Sequence, residues 1–443
     1  MKTAASLLTL ALVVPSALLA VAAAPLAPAG PPPPPMGGLP PGPAPLPPLP
    51  LGPKPPAPVP VVSKPAPQPP PPGLAVAKGG KFGLPFSILT DSQKADFAAG
   101  KAEFLNIETV EGGLGPIFND VSCVACHFEG GAGGASRTLV TRFGRLTNGV
   151  FDPLVELGGP LLQRRAIAPA YLEVVPREAN VVARRITTPL FGAGLVEAIA
   201  DSTISAYASV AKADGIKGRV ALVTDPVSNA SRVGRFGWKA QHASLDGFAA
   251  DAYLNEMGIT SRYFPNENAP NGNKALLAKA DGVLDPEDAL AAGAQKSDLN
   301  LAADYMRLLA PVPKLAPTVS STKGEAVFAQ VGCAVCHVPS MKTGSSPVAA
   351  LANQPVNLYS DLLLHDMGRL GDGIVQSPAT ANEMRTAPLW GLRLRSLYLH
   401  DGRASTLDLA ILAHDGEAKA VRDRYAKLPL ASRQALVVFL NSL

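Results

Sequence analysis

Two short stretches decide how this sequence is read: Cys123-Val124-Ala125-Cys126-His127 and Cys333-Ala334-Val335-Cys336-His337. Each sets two thiols two residues apart, with a histidine directly after the second. That spacing brings both sulfurs to the two vinyl groups of one haem, and the adjacent imidazole reaches the iron as proximal ligand. The chain has 4 cysteines and all of them lie in these motifs, so none is left for a disulfide or a thiol nucleophile. A Cys2His zinc site is the competing interpretation of one such motif; two copies with no spare cysteine favour haem. The expected cofactors are therefore two covalently bound c-type haems. Cys123, Cys126, Cys333 and Cys336 attach them, and His127 and His337 bind their irons.

Outward from the motifs, the local context agrees. Gly324 and Phe328 precede the second motif in the Gly-x-x-x-Phe arrangement common before such motifs, and Gly100 and Phe104 offer the same pair before the first. Apolar periodicity predicts helices over Ser92–Phe104, Val196–Ala206, Leu245–Glu256, Asp298–Leu309, Lys323–Gln330, Thr406–His414 and Ala431–Leu443. Runs of alternating strand pattern are few. The expected fold is mainly α: two cytochrome-c-like haem domains, the first enlarged, at residues 79–313 and 314–443. Pro311-Val312-Pro313 punctuates the boundary.

The N-terminus reads differently. Lys2, the apolar run Leu7 to Val14 and the Ala-rich stretch to Ala24 form an export signal over residues 1–24, or alternatively an uncleaved anchor. After cleavage no transmembrane span is expected, and export of the Gram-negative type places the protein in the periplasm. Residues 25–78 form a Pro-rich linker; Pro25 to Pro72 holds 25 of the 46 prolines, a composition that favours extended polyproline over any packed fold. A net charge of +4, from 39 basic against 35 acidic residues with no basic stripe, argues against nucleic acid as a partner.

The two halves echo each other. Thr188-Pro189-Leu190-Phe191-Gly192 parallels Ala387-Pro388-Leu389-Trp390-Gly391, and Gly237-Trp238 through Leu245 parallels Leu399-His400 through Leu407, with the leucine seven residues after Trp238 or His400. This is the signature of a duplicated haem module.

Only four histidines remain as further iron ligands: His242, His365, His400 and His414. Leu407, Ala410, Ile411 and His414 fall on one helical face, so His414 projects from an apolar surface and is the leading second ligand of the second haem. Met367, close to His365, is its rival, and would give a higher-potential His/Met haem. His400 opens a His-Asp-Gly turn suited to orienting the loop or touching a propionate. The first haem has no evident second ligand, because no histidine lies between His127 and His242. An open iron would take a small oxidant and would want a carboxylate to move protons; Glu256 is the candidate. Trp238, one of 2 tryptophans, is a candidate relay between the haems.

These residues resemble the dihaem oxidoreductase family, whose members are described as predicted peroxidases or predicted thiol oxidoreductases. The family is related to bacterial dihaem cytochrome c peroxidases and MauG enzymes. The resemblance runs from about residue 85 to the C-terminus. It is carried by Gly115-Pro116-Ile117-Phe118-Asn119-Asp120, Arg235-Phe236-Gly237-Trp238-Lys239-Ala240, Gly258-Ile259-Thr260-Ser261, Tyr359 to Gly368, Pro388-Leu389-Trp390-Gly391 and Leu399 to Ala404. It implies an axial ligand fourteen residues after His400, which is His414; an inter-haem tryptophan at Trp238; and a distal glutamate at Glu256. Phe248 stands where the peroxidases carry a distal glutamine, a departure from their pattern.

The expected activity is reduction of hydrogen peroxide or a similar small oxidant, with electrons from a small redox protein or a quinol-linked cytochrome. The rivals are a pure electron-transfer cytochrome and a MauG-like or oxygenase reaction on an organic substrate. Calcium would be a further cofactor, and no pattern in this sequence reports it.

Overall fold

The structure, a computed structural model, describes residues 82–283, 295–376 and 378–443. The expected signal segment and Pro-rich linker lie outside the described residues. Among the described residues the α-helices are α1 (Asp91–Phe104), α2 (Ala193–Ala198), α3 (Asp201–Ser209), α4 (Leu245–Ala252), α5 (Lys274–Ala280), α6 (Asp298–Leu308), α7 (Val319–Val331), α8 (Leu407–Leu412), α9 (Lys419–Ala426) and α10 (Leu430–Leu440). None is long and apolar enough to cross a membrane.

Each motif follows a helix that crosses a later one. α1 opens on a capping box between Thr90 and Gln93, which satisfies backbone N–H groups at its first turn. α7 opens on the same device, built from Thr318 and Ser321, and closes on Gly332 at φ 101. α1 packs on α6, and α7 on α10. The crossing point is a glycine in both: a Cβ at Gly100 would collide with the carbonyl oxygen of Leu301 on α6, and one at Gly324 with that of Ala435 on α10. Four residues on, Phe104 and Phe328 reach the motif histidines, with ring centroids 6.0 Å from His127 and 6.5 Å from His337. So the Gly-x-x-x-Phe pattern has one physical meaning in both halves: close helix approach, then an aromatic ring against the imidazole.

Between the first motif and Gly192 the chain builds an antiparallel sheet. The long strand Leu139–Thr147 turns at Asn148 (φ 52) and Gly149 (φ 81) into Val150–Asp152, and also pairs with Leu161–Leu162 and Val181–Ile186. This sheet carries Val140, Arg142, Arg185 and Ile186 to the wall of the first cavity. Helix accounts for 37% and strand for 15% of the described residues, which corrects the expectation of a mainly α protein to a helical framework bearing an antiparallel insertion. The strands escape sequence reading because Leu139–Thr147 has no regular alternation of buried and exposed residues, the pattern on which a strand is recognised.

The helix expected over Val196–Ala206 is two helices, α2 and α3, parted at Ile199 and Ala200, whose backbone is extended. The predicted helix from Leu245 to Glu256 is present, but its last turn, Tyr253–Met257, is π-helical.

Two apolar cores serve the two motifs. The first gathers Phe97, Phe104, Leu245, Tyr253 and Tyr305, and takes Leu351, Leu358, Leu363 and Trp390 from beyond the second motif. The second gathers Val327, Phe328, Leu407, Tyr425, Leu436 and Phe439.

Candidate functional site

Each motif opens a cavity. The one at the second motif, about 190 Å³, is lined by Cys333, Cys336, His337, Met367, His400 and His414 among others. The one at the first motif, about 170 Å³, is lined by Cys123, Cys126, His127, Glu256, Phe248 and Ala252 among others. Trp238 lines both.

The three candidate iron-binding histidines are held alike. His127 Nδ1 lies 3.2 Å from the Gly134 carbonyl, His337 Nδ1 2.9 Å from that of Tyr359 and His414 Nδ1 2.8 Å from that of Ala410. A carbonyl can only accept, so Nδ1 carries the proton and Nε2 keeps its lone pair, the arrangement of a metal-ligating histidine and its outer partner. Burial pushes His127 and His337 down to about 4 and lowers His414 as well, which keeps the rings neutral and able to ligate.

In the second cavity the rings of His337 and His414 face each other across 6.5 Å, inclined by 62°. That gap suits one metal ion bound by a nitrogen of each ring, given metal–nitrogen bonds of about 2 Å. Met367 lines the same cavity. His365 is tied at both nitrogens, 3.0 Å from Asp361 and 2.7 Å from Glu417. Burial alone would lower it, but its hydrogen bonds prevail and raise it to about 11, so it stands as a cation without a lone pair for iron. Cys336, Asp361 and His365 place ligand atoms within 4.8 Å of one another, yet His365 is spoken for and Cys336 is a motif thiol.

Trp238 is fixed between the cavities. Its indole Nε1 donates to the Ile186 carbonyl at 2.8 Å, and its own carbonyl accepts from Arg385 N at 2.9 Å. His400 meets it edge-on, with ring centroids 6.2 Å apart. The next residue, Lys239, is fully buried and pairs with Asp372 at 3.2 Å, as Arg185 does at 2.7 Å.

The first cavity has a polar wall. Glu256 sits in the π turn with its Oε2 buried and without a hydrogen-bond partner. Burial pushes its carboxyl above the ordinary glutamate value, against the pull of Arg142 and Asn119. Asp251 also lines the cavity; burial would raise it, but His242, Arg142 and Asn255 hold it below the usual range. Its Oδ1 accepts from Asn255 Nδ2 at 2.9 Å, and its Oδ2 lies 3.3 Å from His242 Nε2, within ion-pair range but out of line for a hydrogen bond. Two neighbouring carboxyls driven in opposite directions are the usual substrate of acid–base division of labour. Phe248 lines the cavity as well and stacks on Phe236 at 5.9 Å.

Asp251, Arg142 and Gln241 were not singled out by sequence. No local pattern signals Asp251: it lies on α4, two residues before the π turn that holds Glu256, and the fold brings both to the cavity.

Both cavities fit haem. Each presents two thiols and an Nε2 lone pair. Each also has a buried guanidinium nitrogen without a hydrogen-bond partner: Arg142 Nε in the first, Arg395 Nε and Nη2 in the second. A buried cation left unpaired is costly, and a propionate carboxylate would complete it.

The family model described as "Di-haem oxidoreductase, putative peroxidase" matches residues 174–443, a span that includes the second motif and begins after the first. No curated protein matches the chain. Among solved structures the chain is similar to hydrazine synthase from Kuenenia stuttgartiensis, at 15% identity over 86% of this chain and 95% of that one, with a TM-score of 0.36. It is similar to a MauG-like protein associated with microbial copper homeostasis, at 17% identity over 62% and 94%, TM-score 0.30. It is also similar to a variant of a dihaem peroxidase from Burkholderia thailandensis, at 13% identity over 80% and 87%, TM-score 0.34. The family match covers more than half of the chain, which belongs to the di-haem oxidoreductase family.

Proposed function

We propose that this di-haem oxidoreductase is an exported, periplasmic c-type enzyme that reduces hydrogen peroxide with electrons from an external donor. The observation that carries this reading is the asymmetry of the two cavities. In the second, His414 faces His337; in the first, the lining around His127 sets acids, Asp251 and Glu256 among them, and two arginines, Arg142 and Arg185, among apolar side chains, with no second imidazole among the described residues.

When bound, haem supplies one-electron redox chemistry and an iron at which an oxidant can be reduced. The chain supplies the rest. Cys123 and Cys126, and Cys333 and Cys336, are the attachment thiols. Burial lifts Cys126 and Cys333 to about 12 and Cys123 further still, so these thiols are poor thiolates and a thiol-exchange reading is disfavoured. His337 and His414 make the second site a closed, electron-accepting centre for a small redox protein or a quinol-linked cytochrome. Trp238, packed between the cavities, offers the aromatic path from one to the other.

Glu256 moves protons in the first cavity. Each peroxide consumes two electrons and two protons and yields two waters, and breaking the O–O bond requires a proton to move from the near oxygen to the leaving one. A carboxyl with a raised pKa can take and return that proton. Arg142 offers positive charge beside the same space.

The test is steady-state turnover of the haem-loaded protein with peroxide and a reduced donor. Peroxide-dependent donor oxidation supports the reading. No turnover, with both irons six-coordinate, would leave an electron-transfer cytochrome.

A further inference from the structure

The duplication can be followed residue by residue into the walls of the cavities. In the first half an isolated antiparallel bridge joins Phe236 to His242; in the second, one joins Tyr398 to Ala404. Both loops enclose a left-handed residue two positions before the closing one, Ala240 at φ 53 and Gly402 at φ 72. Both then run into a side-chain cap. Ser244 accepts from Gly247 N at 3.2 Å, and Thr406 accepts from Leu409 N at 3.2 Å. The first helical residues, Leu245 and Leu407, are both buried.

The motif side matches too. Leu190 N donates to Gly133 O and Leu389 N to Leu358 O, each the carbonyl just before the one that holds the motif histidine. With Ser244 aligned on Thr406, Phe248 and Ala249 fall on Ala410 and Ile411, and all four line their cavities. The next position on that face is His414 in the second half. In the first half it is Ala252, which also lines its cavity.

We infer that Ala252 keeps the outer face of the first haem open, because it occupies the place from which His414 closes the second. The inference rests on the haem reading above and makes it specific. A methyl group has no lone pair to give a metal, whereas an imidazole there would fill the position, as His414 does. The cavity beside the alanine is lined by Phe248 and by the polar side chains of Arg142, Gln241, Asp251 and Glu256, among others. That lining suits a small, protic, polar oxidant with one or two hydrogen-bonding atoms. Ala252 is thus a specificity-determining position: it decides that the first site takes an outside molecule, and its acidic neighbours decide which kind.

The experiment uses the full-length, haem-loaded protein, with cyanide as the probe of the ferric state and optical and electron paramagnetic resonance spectra as readouts. Ala252→His should convert the high-spin signal to low-spin, abolish cyanide binding and leave the second haem's spectrum unchanged. An Ala252→His protein that stays high-spin and binds cyanide with wild-type affinity would overturn the inference. Should that variant fail to take up both haems, Ala252→Val decides. It adds bulk without a ligand, so the high-spin signal should persist while cyanide association slows, and an unchanged association rate would overturn the inference. Wild-type protein with two low-spin haems and no cyanide binding would remove the peroxidase reading and this inference together. A high-spin wild type with an unresponsive Ala252→His removes this inference alone.

Discussion

The two halves share a frame and differ in what the frame holds. Both cross a pair of helices at a glycine, set a phenylalanine against the motif histidine and run a capped helix along the cavity. In the second half that helix ends at Leu412, and His414, two residues on, stands 6.5 Å from His337 between ring centroids. In the first it carries Ala252, continues into a π turn and presents Asp251 and Glu256 instead. On the function proposed above, one scaffold yields a closed electron-transfer site and an open reactive site by changing one helix: the scaffold residues would hold the cofactor, and the residues on the facing helix would set its chemistry.

Five variants test that contrast, in falling order of effect. Replacing Cys333 and Cys336 with Ala should leave one covalent haem, seen as halved haem stain per chain and loss of the low-spin signal. Two retained haems, or zinc in the native protein, would dismantle the comparison at its root. His414→Gly should turn the second haem high-spin and raise its potential, since a strong nitrogen donor is lost. An unchanged low-spin spectrum would move the ligand to Met367.

Glu256→Gln keeps the shape of the first cavity and removes the base. It should leave haem content and the second haem's spectrum intact while lowering peroxide turnover at least about tenfold, within the ~10²–10⁴ range typical of a lost acid–base group. Wild-type turnover would make Glu256 structural. The smallest effects concern the shared frame. Gly100→Ala and Gly324→Ala each drive a methyl into a helix carbonyl and should each destabilise by about 1–3 kcal/mol in denaturant titration, as overpacking does. A large loss at one glycine and none at the other would mean that the two crossings are not equivalent.

The shared frame was the legible part of this chain. The motifs, the Gly-x-x-x-Phe pairs and the apolar faces of α1, α4, α6, α7 and α10 are local patterns, and local patterns survive in a single sequence. His414 was expected on an apolar helical face; the structure places it two residues past the end of α8, in the cavity with His337. The sheet around Leu139–Thr147 was not legible, because its strands are matched by long-range pairing, as of Leu139 with Ile186, and not by alternation. α9 was missed because its strongly charged sequence buries only Val421 and Tyr425. The break between α2 and α3 carries no proline, and the glycines near it lie inside or before α2.

In the first cavity, Glu256 and Trp238 could be named, but Asp251, Arg142 and Gln241 could not. Their convergence depends on α4, a strand and a loop meeting at one wall. The place of Ala252 needed both halves in three dimensions, because an alanine has no chemistry of its own to announce it.

The central claim is that the first site is open and the second closed. Electron paramagnetic resonance of the ferric, haem-loaded protein, recorded with and without cyanide, tests it most directly. The account predicts one high-spin and one low-spin haem, with cyanide converting only the high-spin signal. Two low-spin haems that ignore cyanide would contradict it.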